Sequence, residues 1–412
     1  MEFNEFLEIL KETGKKINVD IADKEAEKFY KYMNKQNKSN ILGNTVLELL
    51  LIALIIVINN VLIRYEGSDS SITIPKGNEG LVLLSNKTDK PKLTSRQLVI
   101  KMRDEKGISF KYDSEDDAAE YLSDRNNYLR TACYRVSFQK YPAGVNAGKY
   151  MNLDFAYLKE LSVIDMHYRF LVKRMCSDIE HSISVNLLKL IENDSSTDGY
   201  GIVKQFLNRN PYVVRNIEKS RSSPHTGDLI RKYFSLATTV DPVTGRRTTQ
   251  ITAYDDCPAW VLCECLTFGD LASFYRFYCD TRGISMFTSW EVLNLVRSLR
   301  NGVSHDNCML CNIPSGTSVP PQELTVAVRN LGMVSTSQRQ KKLSSRTVLE
   351  FTALLYAYSL IVKGKVREHR AQELKALFYG RIQEKKAFFV ANNLITTTYE
   401  FACKMIEGFL PV

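Results

Sequence analysis

The sequence predicts a mainly all-α fold, and three features carry that prediction. Apolar residues recur at three- and four-residue spacing over long runs, the period of a helix with one buried face. Turn-forming residues are sparse, with 11 prolines and 20 glycines among 412 residues. Several periodic runs also begin behind a Ser or Thr placed to cap a helix. With 44% hydrophobic and 25% charged residues, the composition is that of a folded globular chain and excludes a disordered one. The length allows two or three domains.

Residues 1–66 read as an N-terminal extension, helical in composition over 1–40, with Phe3, Phe6, Leu7 and Leu10 in one stripe. Val46–Ile63 is the most apolar stretch of the chain. As a helix it would span roughly 27 Å, slightly short of a ~30 Å hydrocarbon core. Glu48, Asn59 and Asn60 lie near its ends, so a buried helix or an oligomer contact is favoured over membrane contact through 46–63. Residues 67–90 combine Gly, Ser, Pro and Asn with short β-branched runs and read as a linker or small hairpin.

Residues 91–152 read as an N-terminal helical subdomain. Thr94 or Ser95 caps a helix that runs toward Gly107, and Ser114 caps a second one through Leu122 with acids in its first turn. In Asn127–Arg135 the residues Tyr128, Arg130, Tyr134 and Arg135 read as core in preference to a stacking surface for RNA. Residues 153–412 read as the main helical bundle. Its longest periodic run is Leu153–Asn193, where Asp165 and Arg169 are spaced as a local ion pair worth tenths of a kcal/mol if exposed. Residues 193–252 are expected to hold short helices broken by polar clusters, with Gly245-Arg246-Arg247 as a solvated basic loop. Pro258-Ala259-Trp260 opens an apolar run that ends at Tyr278. Farther on, the basic patch Arg339–Arg346 precedes a buried helix, Val348–Val362.

The net charge of +9 favours a polyanionic partner, of which nucleic acid is the commonest. Nine scattered cysteines, an odd number, with no clear secretory signal, lead us to expect reduced cytosolic thiols. Cys308-Met309-Leu310-Cys311 is a CxxC, but no second pair has the spacing of a structural zinc site, so no metal is expected.

The candidate site lies in Ser289–Asn312. Val292, Leu293, Leu295, Val296 and Leu299 mark an amphipathic helix, and Gly302 reads as its stop signal. Arg300 and His305 follow at its end. RNA carries its own nucleophile, the 2′-OH, so cleavage needs only a proton-transfer group and a cation for the phosphorane. Histidine titrates near neutrality and suits the first task. Arginine, permanently charged, makes bidentate bonds to phosphate and suits the second. On a straight helix positions five apart lie about 140° apart, whereas Asn301 and His305, Arg297 and Asn301, or Arg300 and Ser304 share faces. For Arg300 to meet His305, the helix must loosen near Gly302 or a second subunit must supply the partner.

Five segments together resemble the bacterial Abi-like abortive-infection family, whose members defend against phage. They are Lys92–Gln97, Asn127–Tyr134, Asp165…Arg169 with Ile179-Glu180, Pro258-Ala259-Trp260 through Phe268-Gly269, and Leu299–His305, in family order between about Pro91 and Lys375. Leu129 departs from the pattern, where a second Tyr is common, and residues 1–90 fall outside it. The resemblance implies an HEPN-like helical bundle that forms a homodimer, and an R-x(4–6)-H ribonuclease motif similar to Arg300 and His305. On this reading His305 is the general acid or base, Arg300 binds the scissile phosphate and Asn301 orients the histidine. Arg297, Ser304, Lys341, Lys342 and Arg346 would contact RNA. The expected protein is a bacterial, cytoplasmic, metal-independent endoribonuclease with no cofactor, restrained by an antitoxin RNA or protein. The rival reading is a non-catalytic RNA-binding or phage-sensing module.

Overall fold

The computed structural model describes residues 91–411. The extension expected over 1–66, its apolar stretch 46–63 and the expected linker or hairpin 67–90 all lie outside the described residues. From Pro91 onward the chain forms one compact unit, mainly α-helical, and among the described residues no helix is long and apolar enough to cross a membrane.

Helix α1 (Ser95–Asp104) starts as its sequence dictates: the Thr94 side chain accepts from the Gln97 backbone, and Gln97 reaches back to Thr94. Ser114 and Asp117 make the same reciprocal cap for α2 (Glu115–Glu120), which continues as one wider π turn, Tyr121–Arg125. Helix α3 (Tyr128–Ala132) and a 3₁₀ turn, Cys133–Ser137, complete the N-terminal group.

Helix α4 (Phe155–Glu192) is the axis of the molecule. Its 38 residues extend about 57 Å at the ordinary helical rise. Asp154 caps it, accepting from the Ala156 backbone N–H while also holding the Ser109 hydroxyl at 2.7 Å. The helix serves two hydrophobic cores in succession. Phe155, Leu158, Leu161 and Ile164 pack with Val99, Met102, Ile108 and Tyr134 in the smaller core. From Tyr168 to Ile191 the same helix lines the larger one.

The larger core collects α5 (Gly201–Arg209), α6 (Pro211–Lys219), α7 (Gly227–Tyr233), α8 (Ala259–Cys265), α9 (Phe268–Arg282) and α10 (Trp290–Ser304). After α11 (Gln322–Asn330) and α12 (Thr336–Leu343) comes α13 (Arg346–Ile361), apolar nearly all round and correspondingly buried. Helices α4, α10 and α13 pack against one another at the centre. Helices α14 (Gly364–Lys375) and α15 (Asn393–Phe409) close the bundle.

One departure from the helical expectation lies within 193–252. Strands β1 (Ser235–Val240) and β2 (Arg247–Ala253) form an antiparallel hairpin. Alternating Thr, Val and Ile on both sides of Asp241-Pro242…Gly245 favours extended backbone, and Asp241 accepts from the Val243 and Thr244 backbone N–H groups in the turn. Gly245 supplies the left-handed residue, with φ +66°.

Candidate functional site

Helix α10 is fixed by burial. Val292, Val296 and Leu299 are fully enclosed, each stabilising the fold by roughly 1.5–3 kcal/mol as an upper bound. At its start the Ser289 backbone N–H donates to Glu323 at 2.8 Å. The helix runs through Gly302 without loosening and ends at Ser304. Gly302 is there for another reason: a Cβ at that position would lie 3.2 Å from both Sδ and Cε of Met309, so glycine lets the returning chain press on the helix.

The stop comes at the next two residues. His305 is the C-cap, its N–H donating to Asn301 O at 3.0 Å, and Asn307 N–H returns to Gly302 O at 3.0 Å. Between them Asp306 takes a left-handed conformation, φ +57°, unusual outside glycine. Two arginines hold it. The Arg130 guanidinium, from α3, donates to Asp306 Oδ2 at 2.6 Å and also to the Asp306 carbonyl oxygen. Arg169 of α4 pairs with Asp306 Oδ1.

Arg169 in turn lies 3.2 Å from Asp165, one turn earlier on α4 and wholly buried. Asp165 accepts from the Tyr134 hydroxyl at 3.0 Å and from the backbone N–H groups of Met309 (3.0 Å) and Leu310 (2.9 Å). Burial pushes its carboxyl up to about 6, against the pull of those donors and of Arg169. Residues 305–310 are thus bolted to α3 and α4 by charge, and the same loop touches both cores: Met309 enters the larger and Cys308 lies against the smaller. Thr347, at the start of α13, donates to the Met309 carbonyl at 3.0 Å.

The expected catalytic residues are placed as follows. His305, Asn301 and Ser304 are all exposed on the end of α10. Arg300, one-third exposed, turns to α4, where its Nη2 lies 3.6 Å from Glu180 Oε2. Burial raises the Glu180 carboxyl above its usual range, and Arg300 opposes that rise. Among the described residues no hydrogen bond or ion pair joins Arg300 to His305, as an unbroken helix requires. Arg297 crosses Gly269 of α9, whose absent Cβ would lie 2.9 Å from Arg297 Cδ. Its guanidinium has no ion-pair partner among the described residues, so it is a free cation beside Asn301.

Of the expected RNA contacts downstream, Lys341 is exposed and Arg346, about half exposed, pairs with Glu350 at 2.6 Å. Lys342 does not fit its expected role. It is buried, its ammonium donates to Thr397 and Thr398 at 2.8 Å, and burial lowers it to about 8. Lysine adjacent to a basic run reads as surface in sequence, but this position falls on the inner side of α12.

The residues that sequence reasoning passed over are Arg130, Asp165, Arg169, Glu180 and Asp306. The signal for four of them was present in the resemblance itself, because they sit inside its segments. The Asn127–Tyr134 run meets the α10 exit through Arg130, the α4 segment meets it through Asp165, Arg169 and Glu180, and Gly269 receives Arg297. Three stretches scattered over the sequence therefore converge on the C-terminal half of α10, which carries a fourth.

The family model described as Abi-like protein matches residues 120–310, which end where this loop ends. No curated protein and no solved structure matches the chain. Residues 120–310 are thus similar to the Abi-like family over just under half of the chain.

Proposed function

We propose that this protein acts in phage defence as a metal-independent endoribonuclease of the HEPN type, cleaving RNA through the 2′-OH to leave a 2′,3′-cyclic phosphate. One observation carries the reading: His305 stands exposed where the four family-like segments meet, its imidazole without a hydrogen-bond partner among the described residues. A histidine so placed is free to move protons, and the clamped Asp306 behind it fixes where it stands. Arg297, exposed enough to meet solvent and unpaired, offers phosphate a charge. Arg300 is held loosely by Glu180, and a phosphate oxygen is a better bidentate partner for its guanidinium than a carboxylate at 3.6 Å.

The 140° or so between Arg300 and His305 on one unbroken helix is bridged in this proposal by a second copy. A homodimer with its two α10 ends facing one cleft would set each His305 opposite the other copy's Arg300. RNA would lie along Arg297, Ser304 and Lys341, and a cytoplasmic antitoxin RNA or protein would restrain the activity.

The test is purified protein on RNA in the presence of EDTA, with the product ends mapped. Wild type is expected to leave cyclic phosphate and 5′-OH ends. His305→Ala should lower cleavage by a hundredfold or more, on the order of what general acid–base catalysis supplies, with unchanged thermal melting. Cleavage that survives in His305→Ala, or stops with EDTA, overturns the proposal. A second reading, an RNA-binding or phage-sensing module that does not cut, is favoured by the Arg300–Glu180 pair, which keeps the arginine from the histidine. It predicts salt-sensitive RNA binding, weakened by Arg297→Ala, with no new RNA ends.

A further inference from the structure

All nine cysteines are free thiols, and their placement is uneven. Six are buried: Cys176, Cys257, Cys263, Cys265, Cys279 and Cys403. The other three, Cys133, Cys308 and Cys311, are partly accessible, and they come together although the first is 175 residues from the second in sequence. The 3₁₀ turn Cys133–Ser137 packs directly on the one that follows the α10 loop, Leu310–Asn312. The Cys133 side chain lies beside those of Cys308 and Cys311, its own thiol donating to the Arg130 carbonyl at 3.0 Å. The Cys311 thiol donates to the carbonyl of Cys308 at 2.8 Å, which points it back into its own turn.

We propose that Cys308 is a peroxide-reactive thiol and Cys133 its resolving partner, so that oxidation joins α3's C-terminal turn to the loop behind His305 through a disulfide. This goes beyond the ribonuclease reading and does not depend on it.

The surroundings of Cys308 are those that make a thiol nucleophilic. The Cys133 side chain, the Tyr134 hydroxyl and the Arg130 guanidinium all lie beside its sulfur, and these polar neighbours, Cys133 first, lower it to about 5. A partly accessible thiolate beside a guanidinium, here Arg130, is the form that attacks peroxide. Cys133, enclosed by the other two sulfurs, is pushed the opposite way and stays protonated until its partner is oxidised.

The chemistry balances in two steps. The Cys308 thiolate attacks one oxygen of hydrogen peroxide, the O–O bond breaks, and hydroxide leaves and takes up a proton, giving a sulfenic acid and water. The Cys133 thiol then loses its proton as its sulfur attacks Cys308, the S–O bond breaks, and a second water departs. Two thiols are oxidised to one disulfide while one peroxide is reduced to two waters. The new bond parallels the Arg130–Asp306 ion pair and makes that attachment covalent, holding the loop that carries His305 to α3.

The experiment is mild peroxide treatment of the full chain, followed by thiol counting under denaturing conditions and peptide mass mapping without reductant. The thiol count should fall by two, with a Cys133–Cys308 cross-linked peptide that dithiothreitol reverses. Before oxidation, iodoacetamide at neutral pH should label Cys308 about tenfold or more faster than any buried cysteine. Cys308→Ser and Cys133→Ser should each abolish the cross-link, and Cys311→Ser should keep it. Retained thermal melting of each variant guards against misfolding as the cause. A Cys308–Cys311 link, a sulfinic acid with no cross-link, or purified protein holding a metal ion on the three sulfurs would each overturn the proposal.

Discussion

Helix α10 and the loop that leaves it adjoin each other and are held by opposite means. The helix is held by apolar side chains, with Val292, Val296 and Leu299 fully enclosed, and its one ion pair among the described residues, Arg300 with Glu180, is long and partly wet. In the loop only Met309 is buried, with Cys308 and Leu310 partly covered. It is held by a chain of charge that runs from Arg130 through Asp306 and Arg169 to the enclosed carboxylate of Asp165. A helix can be placed by area removed from water, because its backbone satisfies itself. A loop cannot, because each of its backbone N–H groups needs its own acceptor. Here Asp165 is that acceptor for two of them, Met309 and Leu310.

The largest effect should come from breaking the loop's side of this contrast. Asp165→Ala leaves two buried N–H groups, the Tyr134 hydroxyl and Arg169 short of a partner, and should cost roughly 3–5 kcal/mol in urea unfolding. Hydrogen exchange should rise first in residues 305–310. Exchange that rises uniformly across α10 instead would mean that the two parts are not held separately. Leu299→Ala attacks the helix side and should cost about 2–5 kcal/mol by cavity formation, with no selective loosening of the loop.

The same carboxylate gives the contrast a pH dependence. Its folded pKa of about 6 lies above the ordinary unfolded value near 4, so the folded state favours the protonated form. That contribution is fully present below about pH 4 and is lost as pH rises through about 6, up to roughly 3 kcal/mol in all. Asp165→Asn should flatten the stability profile over that window by the same amount. An unchanged profile would place the titration elsewhere. The smallest stability effect is expected from Arg300→Ala, under about 1 kcal/mol for a partly exposed pair. Under the ribonuclease proposal the same variant loses most of its cleavage, and that separation of stability from activity is its sharpest check.

Much of this architecture was legible in the chain. The Thr94 and Ser114 caps, the long run that became α4, the stripe of α10 and the buried α13 all depend on patterns within a few residues of one another. The hairpin at 235–253 is not legible in the chain: its β-branched residues around Asp-Pro and Gly lie in interrupted polar sequence that reads as short helices. What stood outside such patterns was misjudged in a consistent way. Asp165 and Arg169 had the spacing of a surface pair of little consequence and proved to be the buried anchor of the site. Lys342 had the setting of a phosphate contact and proved to be an internal strut.

The reason is that periodicity assigns a residue to a helix and to a face, and both are local properties. The chain alone therefore established the helices and their apolar stripes. Whether a charged residue is buried depends on which remote segment covers it, and so does its partner and its energetic weight. Packing alone put Arg130 on Asp306, Arg300 on Glu180 and Cys133 on Cys308. Those pairings come from segments as much as 176 residues apart, a separation over which no local pattern carries information.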